Sequence, residues 1–140
     1  MRLTATRRWC SWVYRGLLGV AVLGTLAFLT ISWQIGSDVR AASTMAVREY
    51  GGDRVSELIA YADGPSHSLG DRNRAVWAPG HIEDPRALPF LEKHYRGESC
   101  DHDRMLCQRE VDEAIRLCRG GLNLPALVWR HGTMSGGDER

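Results

Sequence analysis

The chain has 140 residues, 25% of them charged and 44% apolar, with a formal net charge of +1. That length holds one small domain and an accessory segment, not two full domains. The composition excludes a collagen-like, low-complexity or disulfide-dense chain, and the near-zero charge lacks the basic footprint of a nucleic-acid binder.

The charge is unevenly placed. Residues 1–15 form an Arg-rich tail, with Arg2, Arg7, Arg8 and Arg15 and no acid. Residues 16–33 then read GLLGVAVLGTLAFLTISW, with no charge and no proline. As a helix this run spans ~27 Å, close to the ~30 Å hydrocarbon core of a bilayer. Backbone amides in lipid must pair within their own segment, so a helix is expected over 16–36, with the Thr25 and Thr30 hydroxyls bonding back to carbonyls one turn earlier. Trp12, Tyr14 and Trp33 suit the two interfaces, and the Arg bias predicts a cytoplasmic N-terminus with the rest of the chain periplasmic or otherwise extracytoplasmic. The expected location is a cell inner membrane, crossed once. Gly16, Gly19 and Gly24 offer small faces but no Gly-x-x-x-Gly, so a homo-oligomer is only a candidate. A cleaved secretory signal is the competing reading, with Ala42-Ser43-Thr44 as the small-x-small site. The apolar run is longer than an ordinary signal core, and Asp38 and Arg40 stand between it and that site. An uncleaved anchor is therefore expected. A core helix of a soluble protein is disfavoured, because too little apolar chain follows to enclose it.

Residues 37–52 read as a linker or as an extension of the membrane helix, ended by Gly51-Gly52. Asp53 is expected to cap a helix with Val55, Leu58, Ile59 and Ala62 on one face, stopped by Gly64-Pro65-Ser66. Asp71 is the expected cap of the next helix, carrying Ala75, Val76 and Ala78, which Pro79-Gly80 should shorten or kink. Asp84-Pro85 opens another short helix. A longer one is expected from about Asp101 or Asp103, with Cys107, Val111, Ala114 and Cys118 at i, i+4, i+7 and i+11 and Gly120-Gly121 at its end. Asn123 and Pro125 begin a last short helix containing Trp129. The domain is placed at 53–131 and a tail at 132–140. No stretch alternates with period 2, so the fold class is all-α: one transmembrane helix followed by a small helical stack.

Residues 71–92, DRNRAVWAPGHIEDPRALPFLE, carry Asp71, Arg74, Ala75, Ala78, Gly80, Ile82, Asp84, Pro85, Arg86, Ala87, Leu88, Pro89 and Leu91 in an order that resembles the short bacterial HEAT-like repeat (the PBS-lyase HEAT-like type). Pro79 and Glu83 depart from that pattern, which has Leu and Gly there. The resemblance covers about 22 residues. It implies antiparallel helix pairs, the second helix of each opened by a proline, in a short stack that serves as a protein-binding scaffold. It carries over no lyase activity.

For chemistry the sequence offers little. No Gly-x-Ser-x-Gly, phosphate loop or His-Glu-x-x-His is present, so no enzyme, catalytic residue or cofactor is expected. Cys107 and Cys118 lie too far apart on one helix to pair, whereas Cys100 can fold back on Cys107 as a candidate disulfide. The alternative is that Cys107 and Cys118 are buried small residues. Cys100, His102 and Cys107 also suggest a metal- or redox-responsive site, although a structural zinc needs a fourth ligand and neither His94 nor Cys118 has a standard spacing. His67, His81, His94 and His131 are expected to be solvated or capping residues. Trp77 and Trp129 read as core anchors or, if exposed together, with Arg86, as an interaction surface. The expected function is a membrane-anchored scaffold or interaction subunit that docks on another membrane or membrane-associated protein.

Overall fold

Nothing between Leu3 and Tyr50 breaks a helix; the first proline is Pro65. The computed structural model describes the backbone of residues 3–133 and the side chains of 12–130. In it this stretch is one continuous helix, α1 (Leu3–Tyr50). The helix-extension reading of residues 37–50 holds, and the linker reading does not. Gly51, at φ 78°, turns the chain out of α1 while its N–H still reaches the Val47 carbonyl at 2.8 Å.

α1 changes character along its length. From residue 12 to residue 31 every position is exposed, including Leu17, Leu23 and Ile31. Its most apolar window has a mean hydropathy of 1.9, long and apolar enough to cross a membrane. Thr25 and Thr30 donate to the Ala21 and Leu26 carbonyls, each at 2.9 Å, so neither hydroxyl is left unpaired in an apolar surround. From Ser32 onward one stripe is buried: Ser32, Gly36, Val39, Ala42, Ser43 and Ala46, at spacings of three and four. These residues are small, so neighbouring helices approach α1 closely. Ser32 and Ser43 satisfy their hydroxyls on Phe28 and Val39 carbonyls at 2.8 and 2.7 Å. The helical domain thus begins inside α1, about one turn before the end of the span drawn at residue 36.

Five more α-helices follow: α2 (Arg54–Asp63), α3 (Leu69–Ile82), α4 (Leu88–His94), α5 (Gln108–Cys118) and α6 (Leu124–Thr133), with a 3₁₀ turn at Pro85–Ala87 before α4. No strand occurs among the described residues. Asp53 caps α2 by accepting from the Ser56 N–H, as its position predicts. α3 starts earlier than expected. Ser68, not Asp71, is its cap, and Asp71 completes a reciprocal box: its N–H donates to Ser68 Oγ at 3.2 Å, and that hydroxyl donates back to Asp71 Oδ2 at 2.7 Å.

Pro79 does not shorten α3, which runs on to Ile82 with Pro79 buried inside it. The helix ends at Glu83, whose N–H reaches the Pro79 and Gly80 carbonyls at 2.9 and 3.0 Å and whose left-handed φ of 61° turns the following chain back, bringing the Asp84 N–H to 3.4 Å from the Pro79 carbonyl. Asp84 then caps the 3₁₀ turn on the Arg86 N–H, with Pro85 at its first position. α3 makes its largest contact with α5 rather than with α4, and also packs on α1 and α2. The cause is Gly80: a Cβ built there would stand 2.6 Å from Ala114 Cα, so the two backbones cross at their closest where neither carries bulk. α4 has only seven residues and packs on α5.

α5 begins at Gln108, not near Asp101 or Asp103, because residues 101–106 are tied into a turn. Its stripe of Val111, Ala114, Ile115 and Cys118 is buried as the spacing predicts. α6 lies on α1, and Trp129 rests directly on Gly36. Arg130, the next residue, closes the end of α3: it donates to the His81 carbonyl at 3.0 Å and the Ile82 carbonyl at 2.5 Å, and pairs with Glu83 at 2.9 Å. Gly132 and Thr133 belong to α6, while residues 134–140 of the expected tail lie outside the described residues.

Candidate functional site

Residues 100–107 form a closed loop. The Asp101 side chain accepts from the Asp103 N–H at 3.1 Å, and its carbonyl accepts from the Met105 N–H at 3.1 Å, so the chain reverses instead of entering a helix. Cys107 is fixed to α3 by its N–H, which donates to Asn73 Oδ1 at 2.8 Å. The reversal returns Cys100 to Cys107 at disulfide distance, with Cα atoms 4.8 Å apart. His102, at the exposed tip, joins them: the ligating atoms of Cys100, His102 and Cys107 all lie within 4.8 Å of one another. The Arg109 N–H, at the start of α5, donates to Cys100 Sγ at 3.4 Å.

This loop is one wall of a cleft of about 620 Å³. α1 supplies Asp38, Ala41 and Met45, α3 supplies Arg74 and Trp77, and the loop and α5 supply His102, Cys107 and Glu110. Its lining combines apolar side chains with charges of both signs, beside the part of α1 that enters the domain.

The residues marked for interaction are not brought together. Trp77 is half-buried in the cleft wall, its ring 4.2 Å from that of His81. Trp129 is buried, with 5% exposure, and is a core anchor rather than a surface residue. Its burial follows from Gly36, which leaves room for the indole on α1. Arg86 lies elsewhere, pairing with Asp84 at 2.7 Å and Asp53 at 2.9 Å and so joining the 3₁₀ turn to the start of α2. The Arg86 guanidinium holds the Asp84 carboxyl below its usual range.

The histidines divide by environment. His67 stacks on Tyr61 with ring centroids 3.8 Å apart and lies 3.3 Å from Glu49. His94 contacts the Phe90 carbonyl at 2.9 Å and Asp63 at 3.4 Å. His81 is buried, against expectation, and burial lowers its pKa. His131 has its side chain outside the described residues. Cys118 is a free buried thiol, pushed up to about 11 by burial, with Sγ 3.6 Å from the Pro79 carbonyl. Neither His94 nor Cys118 joins the Cys–His–Cys group.

Sequence reasoning overlooked Gln108. It is buried, receives the Arg96 N–H on Oε1 at 2.6 Å, and donates through Nε2 to the His94 and Leu106 carbonyls at 3.2 and 3.0 Å. One side chain thereby ties residues 94, 96 and 106 to the start of α5. Nothing in its sequence position distinguishes it from a surface glutamine. Comparison with protein-family models, with curated proteins and with solved structures finds no match.

Proposed function

We propose that the chain is a single-pass inner-membrane protein whose HEAT-like helical domain docks on another membrane or membrane-associated protein. In this reading the Arg-rich end is cytoplasmic and the domain is periplasmic or otherwise extracytoplasmic. The observation that carries it is the continuity of α1, exposed on every side from residue 12 to residue 31 and built into the core from Ser32. A span and a core sharing one unbroken helix hold the domain at a fixed distance and angle from the bilayer. That suits a docking element, whose partner is also confined to the membrane plane. The cleft beside α1 is the docking surface, with Met45 and Trp77 as its apolar contacts.

The test is site-specific photocross-linking in native membranes. A reactive side chain at Met45 or Trp77 should give one discrete adduct with another membrane-associated protein, and the same group at exposed Lys93 should not. Recovery of the chain alone from all three, or of a mature chain in aqueous extract lacking its first forty-odd residues, overturns the reading. Protease protection in sealed membranes tests the orientation.

A further inference from the structure

We propose that Cys100, His102 and Cys107 form a soft-cation site for a zinc-type ion that exists only while the two cysteines are reduced. The inference is independent of the docking reading. Its basis is the coincidence of two thiol sulfurs and an imidazole nitrogen within 4.8 Å, on a loop whose ends are fixed from outside. Asn73 of α3 holds the Cys107 amide, Gln108 ties the loop to the end of α4, and the Arg109 N–H already donates to the Cys100 sulfur. The two sulfurs are therefore positioned by the fold rather than by the ion.

Geometry permits both states. Two thiolates bound at ~2.3 Å to one tetrahedral ion stand about 3.8 Å apart, a spacing that Cβ rotation reaches from disulfide contact without moving the backbone. His102 is exposed and free to swing its ring toward the pair. Three protein ligands leave a fourth position. His102 and Cys107 line the cleft, so that position faces solvent and is open to a water.

The redox step balances as ordinary thiol–disulfide exchange. Two equivalents of a small thiol reductant break the Cys100–Cys107 bond. Two electrons pass to the protein sulfurs, the reductant leaves as its own disulfide, and two thiols remain. Binding one divalent ion then releases the two thiol protons.

The experiment uses the full chain in detergent micelles, with Zn²⁺ competed against a chromophoric chelator and Co²⁺ as a spectroscopic probe. The reduced chain should bind one Zn²⁺, and Co²⁺ should give a near-ultraviolet thiolate charge-transfer band. The disulfide form should bind at least tenfold more weakly and show no such band. His102→Ala, at an exposed loop tip, should weaken Zn²⁺ binding at least tenfold while leaving disulfide formation and the thermal melt of the oxidised chain unchanged. Cys10→Ser should change nothing. Stoichiometric binding by the oxidised chain, no binding by the reduced chain, or full affinity in His102→Ala each overturns the proposal.

Discussion

Trp129 lies on Gly36 so closely that a Cβ at residue 36 would stand 2.6 Å from Trp129 Cβ and 2.7 Å from its Cγ. This contact is where the last helix meets the first, at the point where α1 leaves the expected span and enters the domain. Gly36→Ala should therefore destabilise by about 1–3 kcal/mol, the usual cost of overpacking. Gly36→Leu should displace α6 altogether. Thermal melts in detergent should rank wild type above Ala and Ala above Leu. Equal melting temperatures would show that α6 is not seated there.

A second close approach holds the centre of the domain. At Gly80 the nearest atoms to a new Cβ are Ala114 Cα at 2.6 Å and Ala114 Cβ at 2.9 Å, so backbone, not a movable side-chain end, stands in the way. Gly80→Val should cost at least 2 kcal/mol and lower cooperativity, because α3 carries contacts to α1, α2 and α5 at once. Urea unfolding followed by circular dichroism measures it. A neutral Gly80→Val would show that the α3–α5 crossing is looser than these distances.

These two contacts also show where the sequence stops being readable. Local signals survived: Asp53 as a cap, the Thr25 and Thr30 back-bonds, the end of α2 at Gly64 and the apolar stripe of α5 are all written within one or two helical turns. The all-helical class and the long apolar first helix follow from the same short-range patterning. α3 starts at Leu69 and not after Asp71 because Ser68 and Asp71 are both good caps, and their reciprocal bond decides the matter only in three dimensions. α5 starts at Gln108 and not near Asp101 because helix-compatible residues 101–106 are held out of the helix by a closure onto Cys100 and an anchor on Asn73 of α3. Trp129 became a buried anchor through a glycine far along the chain, and Gln108 gained its role from carbonyls in another segment. The sequence offers the Cys100–Cys107 approach only as a candidate beside buried, unpaired cysteines, and the fold of residues 100–107 brings the two sulfurs to disulfide distance. The cleft joining it to α1 was not, since it depends on how α1 and α3 pack.

The turn at residue 83 supports a third prediction. Glu83 holds a left-handed φ of 61°, where glycine is favoured, and its carboxylate meets Arg130 at 2.9 Å with both side chains about a quarter to a third exposed. Glu83→Ala keeps the backbone cost of ~1 kcal/mol and loses the pair, so it should destabilise by about 1 kcal/mol. Glu83→Gly relieves the strain while losing the same pair, and should lie close to wild type. Arg130→Ala should be worse than either, because it also strips donors from the His81 and Ile82 carbonyls. A Glu83→Gly less stable than Glu83→Ala would mean the left-handed turn costs nothing here.

His81 gives the domain a predicted acid sensitivity. Its ring lies beside Trp77 and faces Glu113, Asn123, Glu83 and Arg130, and burial is the main cause that lowers its pKa from 6.5. A base whose folded pKa is depressed binds fewer protons folded than unfolded, so its neutral burial favours the fold above pH 6.5. That contribution is lost as pH falls below 6.5 toward the depressed value. The carboxyls of Asp53 and Asp84 are lowered from 3.8, and their contribution disappears only in a more acidic range. The melting temperature of the wild type should therefore fall between pH 7 and pH 5.5. His81→Leu, matched in bulk but unable to take a proton, should fall less over the same interval even if it starts lower. Parallel pH dependences in the two proteins would place the acid sensitivity on other groups.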